Sequence, residues 1–492
     1  MQNTELNEPG GGKTDSVPRA QLIGLILGPV MLALRQVLSP PESMNPQAWS
    51  ALGMMLLMAV WWSTEAIPIA ATSLLPIVLV PALGLGDVGS ATSAYAHPII
   101  FLFLGGFTLG LAMQRWNLHR RVALLTLRAM GARPKRQIAG FMLATAFLSM
   151  WVSNTATAIM MLPIGVSVIS MLERGQGEEK IRPYATALLL AIAYSASIGG
   201  VATLIGTPPN ALLAAYLSET QGMDIGFSQW MLLGLPVSLC MLALTWWWLT
   251  RRDFGLQADE EADRLVRNEL AELGQTGKGE KLVGLVFLLT ASAWILRPLL
   301  SDSLLPWLSD TSIAIAAAVT LFLIPVSLRE RVFLLDWQSA ETLPWGVLLL
   351  FGGGLAMAGV ISSSGLADWI AQALAGSEGL PAIAMIALVT IVIIFLTEVT
   401  SNTATAAAFL PLLGALAVAQ GVPAPFFAVP AALAASCAFM MPVATPPNAI
   451  VFSSGHVRIG DMIRTGFALN LIGVIVVTGF SYLLVGLVFS AD

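Results

Sequence analysis

Apolar residues run in long blocks through nearly the whole chain, separated by short polar segments. Blocks near the length needed to cross a bilayer, about twenty residues, predict spans at roughly 21–38, 51–63, 66–84, 97–114, 183–205, 229–250, 282–300, 311–328, 343–361, 425–443 and 464–490. Two further apolar stretches, 137–172 and 381–418, are too long for one span. Each carries a polar word near its middle: Ser153-Asn154-Thr155-Ala156-Thr157 in the first, Ser401-Asn402-Thr403-Ala404-Thr405 in the second. A helix interrupted there predicts a re-entrant hairpin with the word at its tip. Non-helical backbone at membrane depth is tolerated only beside protein or a water-filled cavity. The expected fold is an all-α polytopic membrane protein with eleven transmembrane helices and two re-entrant hairpins.

The repetition extends further. Pro163 and Pro411 stand at matching places after the two serines, and Thr207-Pro208-Pro209-Asn210 returns as Thr445-Pro446-Pro447-Asn448. Two words recurring in the same order and the same apolar surroundings indicate a duplicated unit. Composition fits: of 492 residues 56% are hydrophobic and 11% charged, where a soluble domain carries about 25% charged residues. Continuous apolar blocks exclude an outer-membrane barrel, which alternates along each strand. A net charge of −5 implies no polyanionic partner such as nucleic acid. Cys240 and Cys437 lie far apart within apolar blocks, with no disulfide framework or metal spacing. Residues 1–20 are polar, include Gly10-Gly11-Gly12, and are expected to be a disordered cytoplasmic tail before a retained first span.

Charge placement orients the chain. With the amino terminus in the cytoplasm and the carboxy terminus outside, all but Arg35 and Arg297 of the 24 Lys and Arg fall on the cytoplasmic side. The same topology inverts the repeat, so 97–219 and 343–455 become two copies in opposite orientation. Each holds a glycine-rich span (Gly105-Gly106; Gly352-Gly353-Gly354), a short amphipathic helix (about 118–130; about 364–375), a hairpin, and a span broken at Pro-Pro-Asn. Inverted repeats with broken helices characterise secondary transporters, whose sites lie where the repeats meet. The glycines are expected to serve close packing. The hydrophilic segment 251–281 is expected to be a cytoplasmic linker.

The repeated words offer hydroxyls, amides and backbone carbonyls without fixed charge. Ser149 precedes Ser153, and Thr397 precedes Ser401, by four residues, on one helix face. Such oxygens suit a hard cation such as Na⁺. Each proline lacks an N–H, so a carbonyl near Gly206 or Ala444 loses its helical partner and becomes a candidate ligand. Helices restarting after the breaks would turn their positive ends towards the same centre and favour an anion there. No Lys, Arg or His lies near these words, so a bound dianion would need co-bound cations. A single Ser-Asn-Thr word would be read as interhelical hydrogen bonding; its pseudo-symmetric repetition favours a binding site. Glu398, beside the second tip with Met150 as its counterpart, is expected to be solvated at the entrance rather than an ion or proton site. Glu65, next to Trp61 and Trp62, is expected at the interface, and His97, His119 and His456 are isolated near span ends.

The segment Ser436-Cys437-Ala438-Phe439-Met440-Met441-Pro442-Val443-Ala444-Thr445-Pro446-Pro447-Asn448-Ala449-Ile450-Val451 resembles the signature of the divalent anion/sodium symporter family. The paired Ser-Asn-Thr words resemble that family's hairpin tips, and the resemblance runs from about residue 20 onward. It implies a homodimer built on a scaffold (21–136 and 282–380), with transport domains (137–250 and 381–492) moving as an elevator. It implies one sodium site from Ser149, Ser153, Asn154 and the Gly206 carbonyl, and another from Thr397, Ser401, Asn402 and the Ala444 carbonyl. The substrate would meet Asn154, Thr155, Asn402, Thr403, Thr445 and Pro446. The expectation is therefore sodium-coupled import of a C4-dicarboxylate such as succinate across the cytoplasmic membrane, with no organic cofactor. The alternatives are a dicarboxylate or citrate exchanger and a sodium:sulfate symporter. A channel would need a continuous polar pore, and an enzyme would need a nucleophile beside a base.

Overall fold

A helix satisfies its own backbone in lipid, and the apolar blocks fold accordingly. The computed structural model describes residues 19–256, 260–303, 305–374 and 381–489. The tail expected over residues 1–20 lies outside them except for its last two residues, which open the first helix. The first half runs α1 (Arg19–Val37), α2 (Pro46–Thr64), α3 (Ile69–Thr72), α4 (Leu75–Ala82), α5 (Val88–Ser93), α6 (Pro98–Arg115) and α7 (Leu118–Met130). It continues through α8 (Pro134–Ser149), α9 (Asn154–Gln176), α10 (Glu178–Gly200), α11 (Pro208–Gln221) and α12 (Phe227–Thr250). Then come α13 (Glu260–Glu272), α14 (Lys278–Ser303), α15 (Asp310–Leu323), a two-stranded hairpin β1 (Pro325–Ser327) and β2 (Val332–Phe333), and α16 (Trp337–Ala340). The second half holds α17 (Trp345–Ser363), α18 (Leu366–Leu374), α19 (Ala382–Thr397), α20 (Asn402–Ala419), α21 (Pro425–Ala435), α22 (Pro446–Phe452) and α23 (Ile459–Val488).

Among the described residues, nine helical segments are long and apolar enough to cross a membrane. Several expected spans are shorter than their apolar blocks. The 66–84 block is divided between α3 and α4, and the 425–443 block stops being helical at Ala435. The 311–328 block ends at Leu323 because Pro325 cannot continue the helix; the antiparallel β1–β2 pair that follows was not expected.

The duplication is visible in the element order. The series α6 to α11 and the series α17 to α22 each present a glycine-rich helix, a short helix, two helices meeting at a Ser-Asn-Thr word, and a helix pair split at Thr-Pro-Pro-Asn. The glycines do pack closely. A Cβ on Gly105 would lie 2.6 Å from the Ala314 backbone, and one on Gly353 would lie 2.3 Å from the Ser73 carbonyl oxygen.

An aromatic stack and a set of ion pairs join segments distant in sequence. Trp151, just before the first tip, stacks on Trp294 at 6.4 Å, and Trp294 stacks on Phe227 at 4.6 Å. Asp310 ties the group together, accepting from the Phe227 N–H at 2.7 Å and pairing with Arg297 at 3.0 Å. Elsewhere, α13 of the 251–281 segment lies along α7, where Glu269 pairs with Arg120, and Glu280 at the start of α14 accepts from Arg121 Nε at 2.5 Å. Nearby, Asp336 caps α16 and pairs with Arg115 at 2.5 Å. The Ser339 N–H and hydroxyl, then Arg115, hold the Asp336 carboxyl below the usual range.

Neighbouring glycines of α17 separate packing from composition. Gly353→Ala meets main-chain atoms that cannot move aside and is expected to cost about 1–3 kcal/mol. Gly354→Ala finds its nearest neighbours at 3.4 Å and is expected to be neutral or slightly stabilising. Thermal unfolding of the two detergent-solubilised variants checks the contrast.

Candidate functional site

Both polar words break a helix. Helix α8 ends at Ser149 and α9 starts at Asn154; α19 ends at Thr397 and α20 starts at Asn402. Serine is the N-cap in each case, a position that favours short polar side chains. Ser153 Oγ accepts from the Ala156 N–H at 3.3 Å, whereas the Ser401 side chain makes no capping bond.

The second breaks are wider than Pro-Pro-Asn alone predicts. The chain leaves helical geometry over residues 201–207 after α10 and over 436–445 after α21. Peptide groups freed there need partners, and the asparagine of each word supplies them. Asn210 Nδ2 lies 2.8 Å from the Thr203 carbonyl, 3.2 Å from that of Val201 and 3.3 Å from that of Gly200. Asn448 Nδ2 donates to the carbonyls of Ala438 at 3.1 Å and Met441 at 3.0 Å. Both side chains are wholly buried. These structural roles were not anticipated, although the repetition of the asparagine was the signal for them.

Glu398 requires a correction. It was expected at a solvated entrance, but it is only 3% exposed. Its carboxylate accepts from the N–H groups of Phe439, Met440 and Met441 and from Asn470 Nδ2, all within 2.9 Å. Glu65 stands exposed in the left-handed conformation at the end of α2, beside the cavity described below.

Oxygen atoms gather at each tip. Ser149 Oγ lies 2.6 Å from the Ala196 carbonyl oxygen and 2.5 Å from Asn154 Oδ1, two acceptors for one hydroxyl hydrogen. With its oxygen on that side, the Asn154 amide also faces the carbonyls of Ala196 at 3.1 Å and Gly206 at 3.2 Å. Turning the amide would relieve this crowding of acceptors, and so would a cation among them. At the second tip, Thr397 Oγ1 lies 2.7 Å from Asn402 Oδ1 and 3.1 Å from the Ala435 carbonyl. Ala196 and Ala435 were missed because a backbone carbonyl leaves no mark in residue identity.

The tips open on one cavity of about 970 Å³. Ser153, Asn154, Thr155, Gly206, Ser401, Asn402, Thr403, Ala444, Thr445 and Pro446 all line it. Ser149 and Thr397 lie behind the tips, fully buried. Thr207, the counterpart of Thr445, also lines the cavity, and its hydroxyl is 3.4 Å from that of Ser436 in the other repeat. Glu65 is the one charged residue among the described lining residues. Helices α9, α11, α20 and α22 all begin at this cavity. The expected donor role of the restarting helices is reduced at α11 and α22, whose first two residues are prolines without an N–H. The first-turn N–H groups of α9 and α20 have no partner one turn earlier and, apart from that of Ala156, which Ser153 Oγ takes, are the donors that remain.

Residues 19–489 match the family described as the sodium:sulfate symporter transmembrane region. The chain belongs to this family. Two relatives, each called sodium-dependent dicarboxylate transporter SdcS, come from Staphylococcus saprophyticus and Staphylococcus aureus. Each is 44% identical to this symporter over 484 residues, covering 96% of this chain and 93% and 92% of theirs. Among solved structures, the Alcanivorax borkumensis YdaH transporter shares the fold with a TM-score of 0.59 at 13% identity, covering 95% of this chain and 98% of that one. Neisseria gonorrhoeae MtrF follows with a TM-score of 0.53 at 11% identity, covering 96% of each chain.

The asparagine clasps in this symporter are testable. Asn448→Ala leaves the buried Ala438 carbonyl unpartnered, at about 1–3 kcal/mol, and takes from the Met441 carbonyl one of its two donors. Asn448→Asp should be worse, because carboxylate oxygens would face those carbonyls. Melting temperatures in detergent should fall in that order, and Asn210 should behave alike.

Proposed function

We propose that this symporter imports a C4-dicarboxylate such as succinate, driven by sodium ions bound at the two tips. The observation that carries this reading is the single cavity onto which both words converge with no basic side chain among its described lining residues. A dianion leaving water for such a place loses solvation worth many kcal/mol. Hydroxyls, amides and the N-terminal N–H groups of α9 and α20 supply direction, but neutralisation falls to cations. One site comprises Ser149, Ser153, Asn154 and the carbonyl of Gly206, joined by Ala196. The other comprises Thr397, Ser401, Asn402 and the carbonyl of Ala444, joined by Ala435. The dicarboxylate lies between them against Asn154, Thr155, Asn402, Thr403, Thr445 and Pro446. The names of the staphylococcal relatives support this choice of ions and substrate.

The transport cycle follows from the duplication. The two repeats lie inverted in the membrane, the Ser-Asn-Thr tips are re-entrant, and the amino terminus is cytoplasmic with the carboxy terminus outside. Residues Ala20, Gln21, Thr64, Glu65 and Thr342 at the cavity then lie on the cytoplasmic side, so this conformation is open inward. A scaffold made from 21–136 and 282–380 pairs with a second copy as a homodimer. The hairpin-bearing parts, 137–250 and 381–492, carry the site across as an elevator.

Labelled succinate uptake into proteoliposomes tests the proposal. An inward Na⁺ gradient should drive uptake that K⁺ does not support. Uptake that ignores Na⁺ and requires internal dicarboxylate would establish exchange instead, and preference for citrate or sulfate would replace the substrate. Asn154→Ala and Asn402→Ala should each abolish uptake while remaining monodisperse in detergent. Wild-type rates in either variant would remove the site assignment.

A further inference from the structure

We propose that Glu398 is a positioning residue that shapes the second cation site through the backbone, without binding the cation. This rests on the site assignment under Proposed function and deepens it. The carboxylate follows Thr397 directly at the end of α19. Its Oε1 accepts from the N–H of Phe439 at 2.7 Å, of Met440 at 2.9 Å and from Asn470 Nδ2 at 2.7 Å. Its Oε2 accepts from the N–H of Met441 at 2.9 Å. Three consecutive main-chain N–H groups directed at one anion form a nest. Every one of these four partners is a donor. That environment holds a carboxylate in place and leaves its oxygens occupied, whereas a cation ligand needs them free.

The clasp leads to the ligand carbonyl in short steps. The Met441 carbonyl accepts from Asn448 Nδ2 at 3.0 Å and from the Ala444 N–H at 3.2 Å, so the turn that ends in Ala444 starts from the residue Glu398 holds. Thr397 grips the start of the segment through the Ala435 carbonyl at 3.1 Å. Adjacent residues of one tip thus hold the start and the middle of the unwound stretch. The first repeat does this differently: Met150 occupies the place of Glu398, and its own carbonyl accepts from Thr203 Oγ1 at 2.6 Å. One site is shaped by neutral bonds, the other by a buried charge, and the two are predicted to respond unequally when that charge is removed.

Glu398→Gln keeps the shape but turns an amide N–H₂ towards main-chain N–H groups. In proteoliposomes, the sodium concentration for half-maximal succinate uptake should rise about 10- to 100-fold, as for other outer partners of metal ligands. Uptake should recover at saturating sodium, and the number of sodium ions moved per succinate, read from reversal potentials, should stay at the wild-type value. Asn470→Ala removes one donor, retains the charge, and should shift sodium dependence in the same direction by less. If Glu398→Gln fails to fold, Asn470→Ala decides alone: a shift supports the clasp and an unchanged sodium dependence overturns it. Wild-type sodium dependence in Glu398→Gln, or the loss of one sodium ion per cycle, would also overturn it, the latter by making Glu398 a ligand. Sodium-independent uptake by the wild type, or full activity in Asn402→Ala, would instead remove the site assignment beneath it.

Discussion

A peptide group released from a helix inside a membrane has no water to turn to and must find its partner within the protein. Everything distinctive about this chain follows from that constraint. Four helix breaks expose carbonyls and N–H groups at one place, and each break comes with a side chain that answers part of the demand. Asn210 and Asn448 collect carbonyls, Glu398 collects N–H groups, and Thr203 reaches the Met150 carbonyl. The carbonyls of Gly206 and Ala444 are among those that none of these side chains claims, and they lie at the cavity beside the hydroxyls and amides of the two tips. The same bonds that make the breaks tolerable thus narrow the set of oxygens open to an ion.

Electrostatics then restricts what the cavity can hold. A lysine or arginine in it would bind an anion by itself and weaken the dependence on sodium. Among the described lining residues there is none, and the carboxylate of Glu65 repels an anion. On the proposed reading, coupling is therefore a property of composition. The site becomes attractive to a dianion only after cations have occupied the oxygen clusters, and the empty site discourages uncoupled passage.

Much of this was legible in the sequence because polar residues inside apolar blocks are costly and seldom idle. The Ser-Asn-Thr and Thr-Pro-Pro-Asn words located four helix breaks, and the ten lining residues anticipated from them do share one cavity. What escaped was of two kinds. Backbone carbonyls such as those of Ala196 and Ala435 carry no signature, since alanine is ordinary in such a helix. The surroundings of Glu398 depend on Phe439–Met441 and on Asn470, some 40 to 72 residues away in sequence, and no local pattern records such a meeting. A carboxylate beside a polar tip therefore looked solvated when it is enclosed. The Pro-Pro pairs were read for the carbonyls they release, while their own missing N–H groups, which weaken the helix starts of α11 and α22 as donors, went uncounted.

The way the repeats interlock explains why both copies of each word are needed. Helix α11, restarting after the first Pro-Pro-Asn, packs against α20, which follows the second tip. Helix α22, restarting after the second, packs against α9, which follows the first. The Thr207 and Ser436 hydroxyls meet where the two unwound segments cross. Each half of the site is thus supported by the opposite repeat, and neither tip has its neighbours without the other. On the proposed site assignment, this reciprocity sets the two cation sites against each other's repeat, one shaped by neutral bonds and the other by the buried carboxylate of Glu398.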